Sequence, residues 1–324
     1  MEIPRSLRAL LRLSLAVAVL HIAFGAIVRI SGSGMGCGDH WPKCLGAWFP
    51  PMDQPTLVIE WTHRLLAAIL VTTVSATALV AWRARGMKGV GGRGGVLRPA
   101  LLALALVFTT ALFGAVTVWL QNAPLATVGH WSLAAALLAT LATALVRAGD
   151  LGGARWSVGT AKLARGAAAA AGLAFVVLIL GGLTAKVPGA NAACSGIPLC
   201  GTPTDPNAPG LATLQLVQMF HRVLAYLLFF HLMGLAISTR RITEAPAAVR
   251  AVRIAFALAL LQVGIAFSMV LRHLPGVLRS AHQITGVLLW LAVVVATLLA
   301  RRAAPAEAPV PPSVAVLIAR GGGA

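Results

Sequence analysis

Acidic residues are scarce in this chain: eight Asp and Glu stand against 26 Lys and Arg, and the charged types together make only 10% of 324 residues. An ordinary soluble domain carries roughly 25% charged residues, so that class is excluded. Segments of about ten residues with alternating apolar and polar positions are missing too, which argues against an outer-membrane barrel. No small-residue cleavage site follows the first apolar run, which is also too long for a removed signal peptide, so the N-terminus is expected to stay. Cysteines number only four, and no further Cys or His pair stands near them at the spacing of a zinc finger.

What is present is apolar. Hydrophobic residues make up 59% of the chain, and mean hydropathy is +0.88. About 20 such residues span a bilayer as a helix, and eight runs qualify: 9–30, 57–82, 100–120, 128–147, 167–185, 213–238, 254–272 and 280–300. Lipid cannot satisfy free backbone N–H and C=O groups, so each run must be helical. The expected fold is an all-α integral membrane protein.

Basic residues orient it. Of the 26, 19 lie at the N-terminus, in the connections 83–98, 147–165 and 240–253, or in the C-terminal segment. Seven lie toward the other side: Arg29, Lys43, Arg64, Lys186, Arg222, Arg272 and Arg279. The positive-inside rule then places both termini in the cytoplasm and loops 31–56 and 186–212 outside, in a multi-pass protein of the cell membrane. The net charge of +18 reflects this topology and contact with anionic lipid headgroups, not nucleic-acid binding.

The chain repeats itself. His-Arg-x-Leu-Ala at His63 and Arg64 returns 158 residues later at His221 and Arg222, Cys37 and Cys194 are 157 apart, Cys44 and Cys200 are 156 apart, and His130 and His282 are 152 apart. So long a period is half a protein, not a solenoid repeat. Two four-helix bundles related by a pseudo-twofold axis are expected, residues 1–155 and 156–303, followed by a disordered cytoplasmic tail at 304–324.

Four histidines stand near the outer ends of the four helices that run inward: His63, His130, His221 and His282. Ionisable groups within a membrane are costly and read first as functional. Four imidazoles at one depth fit metal ligation, and paired histidines across a bundle are how a haem iron is held from both faces. His21, His231, His40 and His273 have no partner in the other half and read as packed or solvated residues. Arg29, Arg64, Arg222 and Arg279 lie at the level of haem propionates, although outer-end arginines also simply snorkel. The cysteine pairs, in oxidising outer loops, read as two local disulfides, with a redox-active pair or a metal site as the other readings. One acid sits at the histidine level, which disfavours zinc or di-iron carboxylate chemistry. It is Glu60, one helical turn before His63; its counterpart before His221 is Gln218. A carboxylate there is a candidate general acid or base, or else a charge favoured by the helix start.

The run from Gly25 to Cys37, followed by Trp41-Pro-Lys-Cys44 and Ile59-Glu-Trp-Thr-His-Arg64, closely resembles haem A synthase, and the contexts of His130, His221, His282 and both Cys pairs match over nearly the whole chain. The resemblance implies an eight-helix oxidoreductase that converts haem O to haem A by oxidising a ring methyl to a formyl group. It implies a haem b cofactor on His221 and His282, substrate haem on His63 and His130, Glu60 as the functional glutamate, and disulfides Cys37–Cys44 and Cys194–Cys200, the first the more important. Haem O, membrane lipid, an electron-transfer partner and haem O synthase are the expected partners, and a homo-oligomer is compatible with such a chain. Two other classes compete. A di-haem b-type electron-transfer cytochrome would use the same histidines but not the Glu60/Gln218 asymmetry. A membrane disulfide oxidoreductase would explain the cysteines but not the histidines.

Overall fold

A computed structural model describes residues 3–149, 158–201 and 210–303. The proposed half boundary near 155 and the tail at 304–324 lie outside these residues. Among the described residues the protein is all-α: α1 (Arg5–Ile30), α2 (Pro55–Arg83), α3 (Leu97–Trp119), α4 (Pro124–Arg147), α5 (Val158–Lys186), α6 (Leu211–Ser238), α7 (Pro246–Leu271) and α8 (Gly276–Ala303). All eight are long and apolar enough to cross a membrane.

Each helix exceeds the apolar run that announced it. Three begin at a proline, Pro55, Pro124 and Pro246, where the missing N–H costs nothing because first-turn donors lack intrahelical partners anyway. The N-terminal extension is longest in α5 and α7, and those extensions carry Lys162, Arg165, Arg250 and Arg253. Hydropathy stops at the charges, whereas the helix continues into the headgroup layer, where long basic side chains reach water.

Packing follows chain order. Helices α1 to α4 close a ring, each touching the next and α4 returning to α1; α5 to α8 do the same, closing through α5 and α8. The rings meet where α8 lies against α1 and α4, and where α4 lies against α5. Small residues permit the approach: Ala18, Ala135, Ala142, Ala170 and Ala255 are buried around Leu138, Leu141 and Val293. Close van der Waals contact, rather than expulsion of water, drives helix association in lipid. Two polar ties reinforce it: Trp290 Nε1 donates to the Ala135 carbonyl at 3.1 Å between α8 and α4, and the Ser14 and Thr77 hydroxyls meet at 3.0 Å between α1 and α2. Leu102, Leu112, Phe220 and Leu271 point outward and exposed, as a lipid-facing surface requires.

Candidate functional site

A cavity of about 1230 Å³ runs through the bundle and is lined by His63, His130, His221 and His282 together, with Glu60, Gln218, Arg29, Arg64, Arg222 and Arg279 also on its wall. The sequence separates these residues by more than 200 positions, and the two rings bring them to one space. It exceeds the roughly 300–1,000 Å³ of an ordinary small-molecule site.

Glycines on the neighbouring helices make room for the imidazoles. A Cβ at Gly181 of α5 would stand 2.9 Å from Cε1 of His221, one at Gly25 of α1 would stand 3.2 Å from Cε1 of His63, and one at Gly114 of α3 would stand 3.4 Å from Cε1 of His130. Two of the four rings are then fixed by backbone. Nδ1 of His130 donates to the Thr110 carbonyl and Nδ1 of His221 to the Val177 carbonyl, each at 3.1 Å. A carbonyl can only accept, so these rings carry their proton on Nδ1 and keep the Nε2 lone pair free. Nδ1 of His63 and of His282 is buried without a hydrogen-bond partner. Gln262 of α7 touches His282 instead, donating through Nε2 to its backbone carbonyl at 2.9 Å and lying 3.4 Å from its Nε2.

Glu60 is 4% exposed and fully engaged. Its Oε1 accepts from Arg64 Nη2 at 2.6 Å, one turn further along α2, and its Oε2 accepts the backbone N–H of Cys37 at 2.8 Å. Gln218 is equally buried, but its Oε1 has no partner. Both cysteine-bearing loops close as disulfides, Cys37–Cys44 and Cys194–Cys200. The first loop presses hard on α2: a Cβ at Gly36 would stand 2.7 Å from the Thr56 carbonyl oxygen.

The four arginines are used differently. Arg64 Nη1 donates to the His40 and Lys43 carbonyls at 2.6 and 2.5 Å, and Arg222 to those of Gly196, Leu199 and Cys194 at 2.6, 3.0 and 3.0 Å. These two therefore hold the loops over the bundle. Arg29 Nε donates to Gln283 Oε1 at 2.8 Å across the α1–α8 contact, and its guanidinium lies 5.9 Å from the Trp131 ring centroid. Arg279 faces the cavity.

Of the remaining histidines, His231 packs against the Gly166 carbonyl at 2.8 Å and His40 and His273 are exposed. His21 is packed, and what it packs on is His63: the rings stack with centroids 4.1 Å apart and planes within 10°. Having no counterpart in the second half argued against it in sequence; the same asymmetry that marked Glu60 was the available signal. Gln262 gave no signal at all.

The cytochrome oxidase assembly protein family (COX15-CtaA) matches residues 8–294 of this chain. A Heme A synthase of Shouchella clausii is 31% identical over 218 residues, which is 66% of this chain and 70% of that protein. A Heme A synthase of Bacillus pumilus is 38% identical over 78 residues, 24% of this chain and 25% of that protein. A protein named protoheme IX farnesyltransferase from Thermus thermophilus is 43% identical over 98 residues, 30% of this chain and 15% of that protein. The chain thus spans about a quarter of some curated relatives that it matches and over two thirds of others.

Proposed function

We propose that this chain, which belongs to the cytochrome oxidase assembly protein family matched over residues 8–294, is an enzyme that converts haem O to haem A, oxidising one ring methyl to a formyl group. One observation carries the reading: four helix-borne histidines share one cavity, and a buried carboxylate stands beside them on only one side, Glu60 against Gln218.

The donor set fits haem. Iron ligation needs neutral imidazoles with a free nitrogen, and the carbonyl acceptors of His130 and His221 fix that form. Haem b is the proposed resident cofactor, held by His221 and His282, and haem O the substrate, held by His63 and His130. The halves 1–155 and 156–303, related by a pseudo-twofold axis, divide these tasks. When bound, the resident haem supplies electron transfer.

The protein's own residues do the rest. His63 and His130 fix the substrate from α2 and α4. Glu60 offers a carboxylate held still by Arg64 and by the Cys37 N–H, so its proton-accepting group is oriented before substrate enters. Gln218 keeps the shape and lacks the proton chemistry, which suits a half that only stores a cofactor. Arg29 and Arg279 are the propionate contacts best placed at the cavity; Arg64 and Arg222 act there through the loops they hold. The apolar wall accommodates the substrate's long isoprenoid tail.

The basic segments argue for a multi-pass protein of the cell membrane with both termini cytoplasmic and the disulfide loops outside. An electron-transfer partner and a haem O synthase complete the reaction. The 43% identical segment in a protein named protoheme IX farnesyltransferase supports the second of these. The test is pigment extraction from cells that express the chain with a source of haem O, followed by chromatography for a formyl-bearing haem. Two permanently bound, unmodified haems would replace this reading with an electron-transfer cytochrome, and a colourless protein would favour a disulfide oxidoreductase.

A further inference from the structure

The duplication is uneven along the helix seam beside each pair of histidines. Past His63 on α2, the cavity wall carries Ala68, Val71 and Thr72; 158 positions later, past His221 on α6, stand Tyr226, Phe229 and Phe230. Three aromatic side chains thus replace small ones at the same helical positions. Exposure shows what each set does to the wall. On α2 and α3, Leu65, Ala68, Thr72, Phe108 and Leu112 are exposed on the outside of the bundle and also line the cavity. A residue that does both stands at the edge of an opening, so the first-half cavity reaches the lipid-facing surface between α2 and α3. Among the described residues of α6 and α7, Phe267 alone does both.

Aromatic rings fill the matching seam of the second half. The Tyr226 hydroxyl donates to the Pro198 carbonyl at 3.2 Å, which ties its ring to the loop of the second disulfide. Phe229 packs against Phe230 and against Phe256 of α7 with ring centroids 5.4 and 5.7 Å apart, within the range of favourable aromatic pairs. The first-half opening begins two residues past His63 and follows α2 from Leu65 to Thr72, about 10 Å at the rise of a helix. Its edges are apolar except for Thr72, whose hydroxyl already donates to the Ala68 carbonyl at 2.9 Å. Such a slot offers a ligand no hydrogen bond and suits an aliphatic chain, whose far end can lie among lipid tails.

We propose that the opening between α2 and α3 is the tail site of the first half, which takes a haem bearing an isoprenoid chain directly from the lipid, and that Tyr226 and Phe229 close the corresponding seam so that the second half accepts only a haem without one. The inference rests on the proposed function, which needs two haems that differ in this tail. What it adds is the set of residues that tells them apart.

The test exchanges residues between the halves. Purified protein carrying Ala68→Tyr with Thr72→Phe is titrated with haem O and, separately, with protohaem, which lacks the tail, while the Soret band of the added haem is followed. Affinity for haem O should fall at least about tenfold, the scale on which an apolar pocket discriminates by size, with affinity for protohaem and the resident haem spectrum unchanged. Equal loss of both haems would mean that the substitutions damage the site as a whole, and no loss of either would mean that the tail lies elsewhere; both results overturn the proposal. Tyr226→Ala with Phe229→Val is the reverse exchange and stands as an independent test if the first variant does not fold. Expressed with a source of haem O, it should yield haem O among its extracted resident haem by mass spectrometry, where the unaltered protein yields only the tailless form. A reverse variant that still holds only tailless haem overturns exclusion by the aromatic rings. If the unaltered protein binds no haem O beside its resident haem, the proposed function falls and this inference with it; binding with the wrong dependence on the tail sinks the inference alone.

Discussion

Glu60 accepts the backbone N–H of Cys37 at 2.8 Å, so the buried carboxylate of α2 is tied directly to a disulfide-bonded residue of the loop between α1 and α2. Gln218 has no such tie: its Oε1 is buried without a partner. Among the described residues, loop, disulfide and carboxylate form one unit in the first half and not in the second.

Glu60→Gln reproduces the second-half side chain and can still accept from the Cys37 N–H. It should insert and keep resident haem, yet lower haem A formation about 10²- to 10⁴-fold, the usual effect of losing a general base. Chromatography of extracted haems checks this, and near-normal conversion would reduce Glu60 to a structural charge.

Arg64→Met leaves the Glu60 carboxylate buried beside nothing but the Cys37 N–H. Breaking one side of a buried pair costs about 3–5 kcal/mol, so thermal stability in detergent should fall clearly. Adding Glu60→Gln to Arg64→Met should restore much of it. Equal melting of the single and double variants would mean the pair carries little.

The two disulfides should differ in consequence. Replacing Cys37 and Cys44 by Ser releases the loop that orients Glu60, so conversion should drop while resident haem stays; replacing Cys194 and Cys200 should affect conversion less. Closing so short a loop is worth about 2 kcal/mol, so both variants should still insert. Peptide mass spectrometry without reduction should find Cys37 linked to Cys44 and Cys194 linked to Cys200; free thiols after rapid alkylation would revive a redox role.

Gly181→Ala sets a Cβ 2.9 Å from Cε1 of His221, against 3.2 Å for Gly25→Ala at His63. The first should displace its histidine more and markedly reduce the b-type absorbance of purified protein. The second should leave that absorbance nearly intact. The opposite order would contradict the assignment of the resident cofactor to the second half.

His221→Ala and His282→Ala should each lose most of the resident haem spectrum, and His63→Ala much less. Equal losses from all of these variants would abolish the proposed division of labour between the halves.

Solvent class, helix number and the duplicated histidines were legible because each depends on local composition or on a short motif. A run of 20 apolar residues has one stable conformation in lipid whatever surrounds it, and a repeated His-Arg-x-Leu-Ala needs no coordinates to be seen. The contacts of the side chains were not legible. A helix that is apolar all round carries no periodic mark of its inward face, so nothing in α1 announces that His21 turns toward His63, 42 positions away on α2. Glu60 could be placed one turn from His63 by spacing alone. That both its oxygens are claimed, by Arg64 and by the Cys37 N–H, depends on how the first loop folds back onto α2. The cavity joining four histidines likewise needs the two rings to meet, α8 against α1 and α4, and α4 against α5. Sequence determined which residues the helices carry near the ends that bear the cysteine loops; rotation and packing of the helices decided which of them touch.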